Sequence, residues 1–143
     1  MLLQILFLAN AIWFAMAFDA FYLRRKVFGK VMVPIAEDRN NTAYEALVEF
    51  GRFMGGFNLA LSLLNVMLVF NLGGFETDQQ WAILLIFNAL AHGSQFAGNI
   101  PMFLKNQRGE GLWVVMKGVM RLIFVLDFTL MTANGAFAVW LLT

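Results

Sequence analysis

The chain has 143 residues, of which 61% are hydrophobic and only 13% charged, with a net charge of +1. So much apolar sequence in so short a chain cannot all be buried in a water-soluble core, so lipid must cover the surplus; the mean hydropathy of +0.72 agrees. The absence of cysteine excludes disulfides, thiolate metal sites, iron–sulfur clusters and cysteine nucleophiles, and the near-neutral charge offers nucleic acid no basic footprint.

Four apolar stretches follow in chain order, at about 2–23, 46–72, 81–104 and 112–142. Each is long enough to cross about 30 Å of hydrocarbon as a helix rising about 1.5 Å per residue. The first lacks a basic start and is followed by basic residues, so it reads as a retained helix with its N-terminus outward, not a cleaved signal. The connection at about 24–45 is polar and basic, with Pro34 in it and a short apolar segment, Val31 to Ile35, suited to the interface. The loop at about 73–80 opens on Gly73-Gly74, a helix stop. The loop at about 105–111 is tight, and the last stretch exceeds a bilayer's need, so it should tilt or protrude. Helices joined this closely are antiparallel neighbours. The expected fold is therefore all-α, a single-domain integral membrane four-helix antiparallel bundle.

The ten basic residues orient it. Arg24, Arg25, Lys26, Lys30 and Arg39 lie in or beside the first connection, and Lys105 and Arg108 in the third. Arg52, Lys117 and Arg121 sit in the neighbouring helix halves, and the second connection has none. The positive-inside rule makes the first and third connections cytoplasmic, with both termini on the non-cytoplasmic side. Trp81 and Trp140 fall at the outer interface, and Trp113, Tyr22 and Tyr44 at the inner one.

The third stretch carries Asn88, His92, Gln95 and Asn99, spaced by 4, 3 and 4 and so on one helix face. His92 is the one histidine. At matching depth stand Asn10 and Trp13 on the first stretch, Asn58, Ser62 and Asn65 on the second, and Asp127 and Asn134 on the fourth. A charged aspartate at mid-bilayer costs at least ~2.5–3.5 kcal/mol on insertion scales, so Asp127 must be neutral or paired. One reading joins His92 to Asp127 as a ligand or proton site framed by Asn88, Gln95, Asn99, Trp13 and Asn58. The other has each polar group satisfied separately and serving helix packing. No cofactor is specified. A haem would have His92 as its one imidazole ligand with a methionine opposite, and a chlorophyll would use His92 alone.

Nearer the inner face lie three acids, Asp19, Glu45 and Glu49, and three bases, Arg52, Lys117 and Arg121. A balanced set at this depth should pair between helices; alternatively the bases hold a phosphate or carboxylate such as a lipid headgroup. A di-metal site is disfavoured by the missing Glu-x-x-His pair. Small residues four apart, at Gly51/Gly55, Gly56/Ala60, Ala89/Gly93/Ala97 and Ser94/Gly98, should let helices approach closely.

The stretch Gly51-Arg52-Phe53-Met54-Gly55-Gly56-Phe57-Asn58-Leu59-Ala60 resembles DoxX-like proteins over about one helix. That resemblance implies a small helical protein of the bacterial inner membrane and transfers no site residue. The sequence leads to a non-catalytic structural or accessory subunit of a membrane complex, with lipids and other chains or copies of itself as partners. The alternative is a bundle that binds or moves a small hydrophobic or weakly polar molecule, coupled to protons, around His92 and Asp127.

Overall fold

The structure is a computed structural model that describes residues 1–143. It is 82% helix without strands. Its five α-helices fall into two compact units, Met1–Phe70 and Asn71–Thr143.

In the first unit α1 (Leu2–Phe18) continues through a π-helical turn, Asp19–Leu23. Arg24 N–H closes that turn on the Asp19 carbonyl at 2.8 Å, and its guanidinium pairs with the Asp19 carboxylate. Past Arg24 the chain forms α2 (Arg25–Met32), a short amphipathic helix within the stretch expected to be loop. It ends just before Val33-Pro34, because the residue preceding proline is sterically steered out of helical geometry. Arg39 then donates to the carbonyls of Val33 and Pro34 at 2.7 and 2.6 Å, which the broken helix leaves without intrahelical partners. The Asn41 side chain accepts from Tyr44 N–H at 2.9 Å, so α3 (Thr42–Phe70) starts four residues before the expected 46.

The α3 seam is Val48, Gly51, Gly55, Asn58, Ser62, Asn65 and Leu68, all buried. Its steps of three and four are the 3.5-residue period of helices packed side by side. Antiparallel α1 lies against it: Ser62 Oγ donates to the Ala11 carbonyl at 2.9 Å, and the π turn crosses at the Gly51/Gly55 pair. A Cβ on Gly55 would stand 2.6 Å from Tyr22 Cβ and 2.8 Å from Tyr22 N. The expected close approach at Gly51/Gly55 is therefore real. The Gly56/Ala60 pair is different, since nothing lies within 4 Å of a Cβ on Gly56 and both residues are exposed.

In the second unit Thr77 and Gln80 form a reciprocal cap, with Gln80 N–H donating to Thr77 Oγ1 at 3.3 Å and Thr77 N–H to Gln80 Oε1 at 3.1 Å. From it runs α4 (Asp78–Gln107), then α5 (Gly118–Leu142). The two are antiparallel, with Phe103 stacked on Phe124, Phe96 against Phe128, and Ala89 facing Gly135. The last helix begins at 118 instead of the expected 112, because residues 108–117 form a built turn. Asn106 Nδ2 donates to the carbonyls of Glu110 and Trp113 at 3.0 and 2.9 Å, and its Oδ1 accepts from Val115 N–H at 2.8 Å. Gly111 (φ 114°) and Gly118 (φ 55°) bracket this turn in the left-handed region that glycine tolerates. Lys117 consequently stands at the N-cap of α5, not on a helix face with Arg121.

Three helical stretches are long and apolar enough to cross a membrane: Leu2–Leu23, Thr42–Phe70 and Gly118–Leu142. The remaining expected span, at about 81–104, coincides with α4, which has the length, 30 residues, but not the apolarity. Its polar stripe dilutes it.

Candidate functional site

On α4, Asn88 and His92 are buried, and Gln95 and Asn99 are half-buried one and two turns further on. The stripe faces α5 at His92, whose Nδ1 lies 3.1 Å from Asp127 Oδ1. Both side chains are 0% exposed. With Asp127 ionised, Nδ1 carries the proton that it donates, which fixes the imidazole tautomer and ring orientation. Phe96 packs on Phe124 and Phe128, with ring centroids 4.6 and 5.2 Å apart. These rings lie on the side of the pair nearer the α4–α5 turn. On the other side Met131 lies against Gly93, whose missing Cβ would stand 3.1 Å from the sulfur.

The asparagines share a pattern. Asn88, Asn99 and Asn134 each donate to the carbonyl four residues earlier, at 3.2, 3.1 and 2.7 Å. Asn58 and Asn65 do the same on α3, at 2.8 and 2.9 Å. Such a bond occupies one of the four hydrogen-bonding positions of an amide and holds the side chain against its own helix. Asn58 Oδ1 is buried with no hydrogen-bond donor. Trp13 and Asn10 are buried in the α1 face; with Asn58 they belong to the first unit, while His92, Asp127 and the stripe belong to the second.

The inner charge cluster does not pair as a balanced six. Asp19 pairs with Arg24. Glu49 is shared by two guanidiniums, Arg25 Nε at 3.0 Å and Arg52 Nε at 2.6 Å. Glu45, Lys117 and Arg121 are exposed. The reason is local: α2 packs back on α3, bringing Arg25 to Glu49, and the π turn brings Arg24 to Asp19. Sequence reading placed Arg24 and Arg25 in a loop and so missed them. It also missed Asn106, where the two glycines that follow were the available signal.

No three His, Asp or Glu side chains converge on a point where they would hold a metal ion. What the arrangement offers is one imidazole–carboxylate hydrogen bond between two helices in the second unit, and a carboxylate bridging two arginines in the first. Comparison with protein-family models, curated proteins and solved structures finds no match to this chain.

Proposed function

We propose that this chain is an integral membrane protein of the bacterial inner membrane, a four-helix antiparallel bundle with both termini on the non-cytoplasmic side. In this reading it serves as a non-catalytic structural or accessory subunit of a membrane complex. The case for α4 as the fourth span rests on which of its faces is covered. Its polar face is buried at Asn88 and His92, the latter turned to α5, whereas Ile83, Phe87 and Leu90 are exposed. A helix with buried polar groups and an apolar exposed face suits lipid.

The observation that carries the accessory role is the full burial of the His92–Asp127 pair. The two ionisable groups deepest in the spans are directed at each other at 3.1 Å with no exposed surface. Asn88, Asn99 and Asn134 each spend one bond on their own helix. Polar groups used in this way fix helix register and partner choice. Purification in mild detergent followed by mass spectrometry tests the role. A stoichiometric companion chain, or self-association, is the expected result; a monomer that carries no other chain counts against it.

The same contact favours a second reading, in which His92 and Asp127 bind or pass a proton or a small weakly polar molecule. An imidazole oriented by a carboxylate is the usual arrangement for such work. His92→Gln separates the two readings, because glutamine keeps hydrogen bonding but does not take up a proton. A stable His92→Gln protein that keeps its companions and its activity removes the second reading.

A further inference from the structure

On the exposed side of the first unit, the π turn and α3 enclose a groove of about 540 Å³, lined by Tyr22, Arg52, Phe53, Gly56, Phe57 and Ala60. Its form follows from the helix period. Arg52, Gly56 and Ala60 succeed one another at four-residue steps along one line of α3, and the last two are too small to fill it. Phe53 and Phe57, both strongly exposed, form one wall. Tyr22 forms the other, held in place because Gly55 admits its backbone against α3. Gly56, with nothing within 4 Å of a Cβ built on it, and Ala60 form the floor of this groove. From Arg52 to Ala60 it runs about 12 Å, at about 1.5 Å per residue.

Charge marks one end. Glu49 is the one carboxylate between Arg25 and Arg52, so the triad keeps a surplus of one positive charge. Arg52 reaches Glu49 through Nε, so its terminal amino groups point away from that carboxylate, with Tyr22 as a further neighbour. Its guanidinium carbon also lies 6.0 Å from the Tyr22 ring centroid, within range of a cation–π contact. Depth agrees. α3 has 29 residues and is about 43 Å long, against about 30 Å of hydrocarbon. With Phe70 at the outer boundary, the excess sets roughly the first nine residues beyond the inner one and Arg52 just inside it, from where its long side chain reaches headgroup level.

We infer that this groove holds an anionic phospholipid of the inner leaflet, with its phosphate on Arg52 and the start of one acyl chain along Gly56 and Ala60. The inference rests on the membrane reading given above. Planar guanidinium is suited to phosphate, and one basic residue at a membrane surface contributes about fivefold to binding of an acidic lipid.

The test is native mass spectrometry of the full chain, delipidated in detergent and titrated with phosphatidylglycerol or phosphatidylcholine of identical acyl chains. The wild type should retain phosphatidylglycerol about fivefold more tightly, and Arg52→Gln should bind both lipids about equally. Gly56→Leu should lose both, and the open space around Gly56 makes this variant safe to fold. Millimolar inorganic phosphate should not displace the lipid. Equal retention by the wild type, a preference that survives Arg52→Gln, lipid binding that survives Gly56→Leu, or displacement by phosphate alone would each overturn the groove. Carbonate extraction of native membranes tests the underlying reading separately. Protein released by carbonate sinks the membrane assignment, whereas protein that stays integral but ignores the headgroup sinks only the lipid site.

Discussion

His92 and Asp127, 35 positions apart in sequence, meet across the α4–α5 hairpin, with Nδ1 3.1 Å from Oδ1. Neither residue touches solvent. A buried pair of this kind is a poor source of net stability, because removing both groups from water offsets most of their attraction. It is a strong source of specificity, because either partner left alone is costly. Sliding α5 by one turn would separate the two groups and break their hydrogen bond in a fully buried setting. The pair therefore fixes the register of the hairpin, whatever else it does.

This asymmetry gives the first prediction. His92→Leu should destabilise the protein by ~1–3 kcal/mol, the penalty for stranding a buried polar partner. Asp127→Leu should do likewise, and the double variant should recover much of the loss, since replacing a buried pair by apolar residues is often close to neutral. Thermal unfolding of the three variants in one detergent gives the coupling directly. Additive losses would mean that the two side chains do not act as a pair.

The glycines of α3 give the second. Gly55 and Gly56 are adjacent and identical, yet a methyl group at Gly55 would collide with Tyr22 at 2.6 Å while one at Gly56 meets nothing. Gly55→Ala should cost ~1–3 kcal/mol by overpacking the π turn. Gly56→Ala should be neutral or slightly stabilising, since alanine is the better helix former. The ordering of melting temperatures in detergent decides it, and equal values for the two variants would contradict the crossing of the π turn at Gly55.

The contrast between these two glycines also shows what the sequence could and could not reveal. Helical periodicity placed Asn88, His92, Gln95 and Asn99 on one face, and Asp127 at matching depth, because side-chain direction in a helix follows from position alone. Their contact was thus legible as a possibility. Which small-residue pair receives a neighbour was not, because Gly51/Gly55 and Gly56/Ala60 have the same spacing and differ only in the side of α3 they occupy. The helix within the first connection escaped notice because α2 is eight residues long and is stabilised by packing on α3, not by its own propensity. The late start of α5 was hidden for a related reason. Residues Leu112 to Met116 are apolar enough to look like helix, but a single side chain, Asn106, holds them in a turn.

That turn supports a third prediction. Asn106 makes three hydrogen bonds to the backbone of residues 110–115, and Val115 is fully buried beneath them. Asn106→Ala should cost ~1–3 kcal/mol, because a net hydrogen bond is worth about 1 kcal/mol and Val115 N–H would be left without its acceptor. The local consequence is sharper than the global one. Amide exchange at Val115 should accelerate markedly, while exchange at mid-α4 stays slow. Unchanged protection at Val115 would show that the turn is held by something other than this side chain.

The last prediction concerns how many times the chain crosses. Every basic residue outside the helices lies in the α1–α3 connection or between α4 and α5, and the segment joining α3 to α4 has only Glu76 and Asp78 as charges. If α1, α3, α4 and α5 all cross, reporters inserted between Asn40 and Asn41 and after Gly109 should be active inside, and one after Thr143 outside. Three helices are apolar enough to cross on composition alone, and α4 is the exception because of its polar stripe. Were α4 to stay on the outer side, only α1, α3 and α5 would cross, so the reporter at Gly109 would report outside and the one at Thr143 inside. Burial of Asn88 and His92, the latter against α5, with Ile83, Phe87 and Leu90 left on the exposed face, argues for crossing, since an α4 in water would expose those three side chains to solvent. A Gly109 reporter active outside would therefore overturn the four-span topology and with it the His92–Asp127 contact, since an α4 left in water could not lie along a membrane-spanning α5.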